Sequence, residues 1–217
     1  AIYSGSQKCL SCTPGLSPVS FSERMIERVK DREANGNKVH SWFMDLNLVL
    51  GYWGNTTRTY HHTAPINGLF ALHESLLMLQ EEGLEAAWQR HREESEALGA
   101  GLTTMGLEFL VAPESRLPQM TAVRVPEGVN EAEVRKRLLL EYNMEIGAGL
   151  GPLAGKIWRF GLMGYSCKKK NVMLCLSALG SVLADMGLPV RVGDAEAAAH
   201  QVYSRHHAEA AAKKKAV

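Results

Sequence analysis

Short apolar strands alternating with amphipathic helices, a long helical stretch broken at Gly83, and a glycine-rich turn feeding an apolar strand predict an α/β chain with two domains and a tail. The chain has 217 residues, with 24 Lys and Arg against 23 Asp and Glu, a formal net charge of +1, and 46% hydrophobic and 22% charged residues. That balance excludes extensive disorder. Near-neutrality argues against a protein built to grip nucleic acid, which needs a basic excess. The most apolar stretch, residues 172–184, is too short to span a bilayer and runs into Asp185, so no membrane partner is expected. Four cysteines are too few for a disulfide scaffold and point to a reducing compartment, so a cytoplasmic location is expected. The sequence opens Ala-Ile-Tyr-Ser, with neither an initiator Met nor a signal segment, and is expected to continue a longer one.

Residues 1–3 read as the end of a strand running into the polar loop 4–7, and residues 19–21 as a second short strand. Ser22 then caps a helix through Arg32, with Met25, Ile26 and Val29 at helical spacing. Residues 33–38 contain Asn-Gly-Asn and read as a loop; residues 45–52 read as a short helix closed by Gly54 and Asn55. After Pro65, the set Ile66, Leu69, Phe70, His73, Leu76 and Leu77 marks the clearest amphipathic helix. Gly83 interrupts it, and a second helix follows from Leu84 to about Thr104, with the polar run 89–94 as its solvated face. We place the domain boundary at Gly83. Residues 84–190 then form a small α/β or α+β domain of about a hundred residues. Within it, residues 107–111, 120–125 and 157–163 read as strands, Asn130 caps a helix to Tyr142, and residues 171–186 form a helix ended by Gly187 and Pro189. Residues 191–217 are an Ala/Lys-rich tail, a frayed helix with Glu209 and Lys213 four apart and a solvated lysine run at 213–215.

Four places carry chemistry. Lys8 leaves an apolar strand inside a loop of small residues, where partial desolvation frees an amine to act as nucleophile or base; a plain surface lysine is the alternative. Cys9-Leu10-Ser11-Cys12 is a C-x-x-C, but Cys167 and Cys175 do not make a second, and the adjacent His61 and His62 are expected to point apart. No metal is therefore expected. Tyr60-His61-His62-Thr63 lies ahead of the strong helix, whose free N–H groups favour an anion; the Tyr60 and Thr63 hydroxyls would complete a phosphate or carboxylate site, or Thr63 simply caps the helix. Residues 147–151 fail as a dinucleotide fingerprint, because no helix follows with the third glycine in place. They read instead as a flexible loop before an apolar strand that contains Arg159. A buried arginine there needs an anionic partner: a substrate carboxylate held bidentately, or an internal salt bridge, unless the side chain faces water.

Taken in order, Ser4-Gly5-Ser6-Gln7-Lys8, Tyr60-His61-His62-Thr63, and Gly149-Leu150-Gly151-Pro152 with Trp158-Arg159-Phe160-Gly161-Leu162 resemble the class V aminotransferases that use pyridoxal phosphate. The likeness is to the alanine–glyoxylate aminotransferase group in particular and runs from Tyr3 to about Met186. It implies a fold type I pyridoxal-phosphate-dependent transferase, with residues 1–83 the end of the large cofactor-binding domain and 84–190 the small C-terminal α/β domain. It also implies a Schiff base between Lys8 and pyridoxal 5'-phosphate, Gln7 beside the cofactor, and Arg159 on the substrate carboxylate. Tyr60 and Thr63 would reach the phosphate bound in the neighbouring subunit, hence a homodimer with shared sites. The implied reaction moves an amino group from alanine or serine to glyoxylate or pyruvate, the glycine loop favouring small substrates. The family's phosphate loop, stacking aromatic and pyridine-binding aspartate belong before the first residue here, so this chain alone is expected to turn over poorly. Two alternatives remain: a non-catalytic interaction module that keeps the fold, and a pyridoxal-phosphate lyase of the cysteine desulfurase type, which usually has histidine where Gln7 stands. The closing Lys215-Ala216-Val217 is not expected to act as a peroxisomal signal.

Overall fold

A computed structural model describes residues 1–53, 57 and 59–215, apart from the side chain of Lys214. The chain divides into two compact units, Ala1–Leu77 and Met78–Val217. In the first, β1 (Ile2–Tyr3) pairs antiparallel with β2 (Val19–Ser20). The loop between them closes on itself, Ser4 N–H donating to the Pro18 carbonyl at 2.9 Å and Ser6 N–H to that of Leu16 at 3.2 Å. Helix α1 (Glu23–Ala34) is capped by the Ser22 hydroxyl, which accepts from Met25 N–H at 3.4 Å, and runs two residues beyond Arg32 before Asn35 ends it. Helix α2 (Leu46–Trp53) follows Asp45, whose Oδ1 accepts from Asn47 N–H at 3.0 Å. Gly54 and Asn55, expected to close it, lie outside the described residues. The stripe on α3 (Ile66–Glu82) does not find a core: Ile66, Leu69 and Phe70 are exposed, as are Trp42, Phe43 and Trp53, and none of the three helices buries a residue.

The second unit has a conventional interior. Helix α4 (Leu84–Thr104) begins after Gly83, whose φ of 85° only glycine adopts without cost. Strands β3 (Met120–Arg124), β4 (Gly147–Ala148) and β5 (Ile157–Gly161) form an antiparallel sheet in the order β3-β5-β4, the α+β arrangement of the two that the sequence leaves open. Between them α5 (Glu131–Tyr142) starts at Asn130, whose Oδ1 accepts from the Ala132 and Glu133 N–H groups at 3.1 and 3.2 Å. After the sheet come α6 (Lys169–Asp185) and α7 (Asp194–Lys215). Trp158 and Phe160 of β5 and Val123 of β3 join Leu98, Leu102, Leu176, Leu179 and Leu183 in one buried cluster. Each such side chain contributes about 1.5–3 kcal/mol of burial. Burial pushes the Cys175 thiol in that cluster up to about 12, so it is inert packing. Among the described residues no helix is long and apolar enough to cross a membrane.

Three parts differ from the sequence reading. Residues 107–111 do not form a strand. Leu110 N–H reaches the Ala122 carbonyl at 2.9 Å and Arg124 N–H that of Glu108 at 2.8 Å, but the chain turns off into the short helical turn Pro113–Ser115 and the ladder ends as a single bridge. The run 89–94 is solvated only in part: Gln89 and Arg92 are exposed, but Arg90 and His91 turn to the backbone groups entering α6, which need partners. Arg90 Nη1 donates to the Gly164 and Cys167 carbonyls at 2.9 and 2.6 Å, while its Nε and Nη2 hold Glu82 at 2.5 and 2.7 Å. Buried His91 accepts the Gly164 N–H on Nε2 at 3.0 Å, so its Nδ1 carries the proton and donates to the Ala87 carbonyl at 2.6 Å. Nor is α7 a frayed tail: Ala195, Ala199, Val202 and Tyr203 are buried, and the Tyr203 hydroxyl donates to the buried Glu94 carboxyl of α4.

Burial pushes the Glu94 carboxyl above its ordinary value, against the Tyr203 hydroxyl and the Lys169 N–H, which pull it down. The folded chain therefore holds that proton more tightly than the unfolded one. Glu94 withdraws stability as pH rises from the ordinary 4.5 through the raised value. Glu94→Gln, which keeps an acceptor for Tyr203, is expected to flatten that decline in thermal unfolding scans between about pH 4 and 8. Tyr203→Phe is expected to cost about 2 kcal/mol by taking a donor from a buried carboxyl. Superimposable pH profiles for wild type and E94Q would contradict this account.

Candidate active site

Lys8 sits in a turn in the first half of the loop between β1 and β2, and Ser6 fixes that loop. Ser6 is fully buried; its Oγ donates to the Thr13 carbonyl at 2.7 Å and its own carbonyl accepts Cys12 N–H at 3.0 Å. Ser11, left-handed at φ 58°, sends its N–H to the Lys8 carbonyl at 2.9 Å. The backbone of Lys8 is thus held on both sides while its side chain is exposed. This corrects the expected partial desolvation: the neighbours in the loop are too small to cover the amine. Gln7, also exposed, folds its amide back over Gly5, where a Cβ would stand 2.8 Å from Oε1. Cys9 is exposed and Cys12 half-buried; both are free thiols, and Cys12 Sγ lies 4.0 Å from the Gly68 carbonyl.

In the same unit the structure brings Tyr60 and Thr63 together, their exposed hydroxyls 2.9 Å apart. Between them His61 is buried, its ring stacked on Trp42 at 4.1 Å and its Nε2 3.1 Å from the Trp42 carbonyl. The two histidines do not point apart as expected. Their Nδ1 atoms are 2.8 Å from each other and their rings stand at 89°, with Trp42 stacked on His61 and Phe43 edge-on to His62 as an aromatic shelf.

Arg159 belongs to the second unit, in the central strand, opposite Ala122 of β3 and Gly147 of β4. It is half-buried, and its Nε donates to the Ala148 carbonyl at 2.7 Å. The guanidinium lies over Gly147, where a Cβ would come within 3.4 Å of Nε and Nη2. Among the described residues no carboxylate pairs with it, so the internal salt bridge falls away and its Nη donors remain available. Residues 147–148, expected as part of a flexible loop, are strand β4. The turn after them is rigid: at Gly149 a Cβ would overlap the Leu153 carbonyl oxygen and stand 2.6 Å from its carbon. Sequence reasoning did not single out Ser6 as an anchor, the Trp42 carbonyl, or that of Ala148. Only Ser6 left a trace, as a small polar residue two before the lysine; backbone carbonyls leave none.

The first unit thus offers an exposed amine and a pair of adjacent hydroxyls, groups able to engage a carbonyl and an anion, and the second a guanidinium able to engage a carboxylate. Over 92% of the chain the fold matches the crystal structure of ureidoglycine–glyoxylate aminotransferase from Bacillus subtilis, with a TM-score of 0.87, 39% identity and 51% of that chain covered. This is the fold type I architecture of pyridoxal-phosphate-dependent transferases. The Aminotransferase class-V family model matches residues 1–169, and the chain belongs to that family. It is similar to (S)-ureidoglycine–glyoxylate transaminase of Bacillus subtilis, 38% identical over 97% of this chain and 54% of that protein. It is also similar to alanine–glyoxylate aminotransferase of Oryctolagus cuniculus, 40% identical over 84% of this chain and 46% of that protein. The structure of alanine–glyoxylate aminotransferase from Nostoc sp. matches with a TM-score of 0.78 and 48% identity over 83% of this chain and 47% of that one. The chain spans about half the length of the curated relatives it matches.

The Gly149 packing gives a direct test. Gly149→Ala is expected to cost about 3 kcal/mol, since the clash is with backbone and not with a movable side chain. An unfolding midpoint equal to wild type would show that the turn is loose.

Proposed function

We propose that the chain is the C-terminal part of a pyridoxal-phosphate-dependent aminotransferase that moves an amino group from a small amino acid, alanine or serine, to glyoxylate or pyruvate. The observation that carries the reading is Arg159: a half-buried guanidinium in an apolar strand, steered by a backbone carbonyl and left without a carboxylate partner among the described residues. A substrate carboxylate accepting two parallel N–H bonds is the natural occupant. Residues 1–83 are then the end of the large domain and 84–190 the small one.

Pyridoxal 5'-phosphate, when bound, supplies the electron sink that makes the donor's α-proton labile. Lys8 Nζ would supply the amine that holds the cofactor's aldehyde, and as a free amine would carry the proton taken from the donor's α-carbon. Gln7 would lie beside the cofactor. The Tyr60 and Thr63 hydroxyls donate to the phosphate held in the partner subunit, which makes the working form a homodimer. Arg159 orients the donor so that the breaking C–H bond is in reach. Gly147, bare beside the guanidinium, leaves room for a short donor side chain. The two relatives named above share glyoxylate in their names and differ in the donor. The match over 97% of the chain favours (S)-ureidoglycine as a second candidate donor. The same names favour transamination over the lyase alternative. Four free cysteines suit a cytoplasmic enzyme.

Incubation with pyridoxal phosphate, borohydride reduction and peptide mapping are expected to give an adduct on Lys8 and on no other lysine; scattered adducts would end the reading. In the protein at its natural length, Arg159→Lys is expected to raise the donor KM about tenfold or more with a smaller change in kcat, since lysine cannot bind bidentately. A donor screen with alanine, serine, glutamate and (S)-ureidoglycine separates the candidate substrates.

A further inference from the structure

Residues 60–63 present the two hydroxyls, yet among the described residues no backbone hydrogen bond holds this stretch. Its anchors are the two imidazoles. His61 is 3% exposed and lies against Trp42. The Trp42 carbonyl can only accept, so His61 Nε2 carries the proton and its Nδ1 is a bare acceptor. The 2.8 Å contact between the two Nδ1 atoms then requires the proton on His62 Nδ1. One chain of donors runs from His62 through His61 to the Trp42 carbonyl, and edge contacts from Phe43 and Tyr52 hold the His62 ring at 5.6 Å each.

We propose that His61 and His62 are a tautomer-locked pair that positions the Tyr60 and Thr63 hydroxyls for a phosphate group. Neither imidazole acts on the reacting atoms; both act through their neighbours. The inference rests on the cofactor reading above and deepens its phosphate subsite.

The test uses the protein at its natural length, with pyridoxal phosphate and the phosphate-free pyridoxal as paired probes. His62→Phe keeps an aromatic ring but removes the donor; His62→Asn places an amide N–H near the Nδ1 position. H62F is expected to weaken pyridoxal phosphate binding about tenfold, through one or two lost hydrogen bonds, and to leave pyridoxal binding within about twofold. H62N is expected to recover most of the loss. His61→Phe is expected to follow H62F, and because it opens the buried position, the exposed-side H62F remains the deciding variant if it fails to fold. In ¹⁵N imidazole spectra of the wild type, His61 is expected as the Nε2–H tautomer and His62 as Nδ1–H. Equal losses for both probes, or His61 protonated on Nδ1, would overturn the pair while leaving the aminotransferase reading intact. A wild type that takes up no pyridoxal phosphate would overturn both.

Discussion

The second unit depends on how one buried turn is satisfied. Between β5 and α6 the chain passes through Gly164 and Cys167, both inside, in the single 3₁₀ turn Gly164–Ser166, where Cys167 N–H donates to the Gly164 carbonyl at 3.1 Å; the carbonyls of both residues and the Gly164 N–H also face α4. Buried backbone groups in that position cost several kcal/mol if unpaired. Helix α4 answers all three from adjacent residues, Arg90 taking the carbonyls and His91 the N–H, and Glu82 keeps the Arg90 guanidinium neutralised. The Glu82 carboxyl is correspondingly held below its usual range by that guanidinium. One turn further along α4, Glu94 receives Tyr203 of α7. A single polar edge of one helix thus ties together the exit of the central strand, the start of α6 and the docking of α7.

The first unit is organised on a different principle. Among the described residues its helices bury nothing, and the polar side chains that are buried, Ser6 and His61, lie in the lysine loop and the hydroxyl segment. Directional hydrogen bonds set local geometry there without a core beneath them. That suits a part of a protein whose apolar surface, including Trp42, Phe43, Trp53 and Phe70, is large enough to require further cover. A match to only about half the length of the relatives agrees with such a surface.

Local chemistry was legible in the sequence and tertiary demand was not. Ser22 and Asn130 cap their helices as read, because a cap is decided within three residues. The motifs around Lys8, Tyr60 and Arg159 were visible for the same reason, each being a short run of unusual residue types. The burial of His91 and Glu94 has no local signal, because it is dictated by distant chain: the Gly164 turn for His91 and Tyr203 of α7 for Glu94. α7 looked like a frayed tail because alanines give a weak apolar signal, although small residues are what lets a helix approach α4 closely. The facing of His61 and His62 depends on an aromatic shelf that no local pattern announces.

The candidate site residues of each unit, taken separately, follow one rule. Groups with chemistry to offer, the Lys8 amine, the Tyr60 and Thr63 hydroxyls and the Nη donors of Arg159, are exposed or half-buried, whereas the atoms that aim them are buried or belong to the backbone: Ser6, His61 and the Ala148 carbonyl. Separating the two has a physical advantage. An exposed amine or hydroxyl keeps its hydration until a ligand replaces it, so folding bears no desolvation penalty for it. The buried anchor meanwhile removes the entropy that a free loop would lose on binding. The arrangement requires that the anchors be small or backbone-derived, since a bulkier anchor would occupy the ligand's space. Gly147 beneath the guanidinium and Ser6 beneath the lysine loop meet that requirement, which is why the most constrained positions here are among the least conspicuous residues.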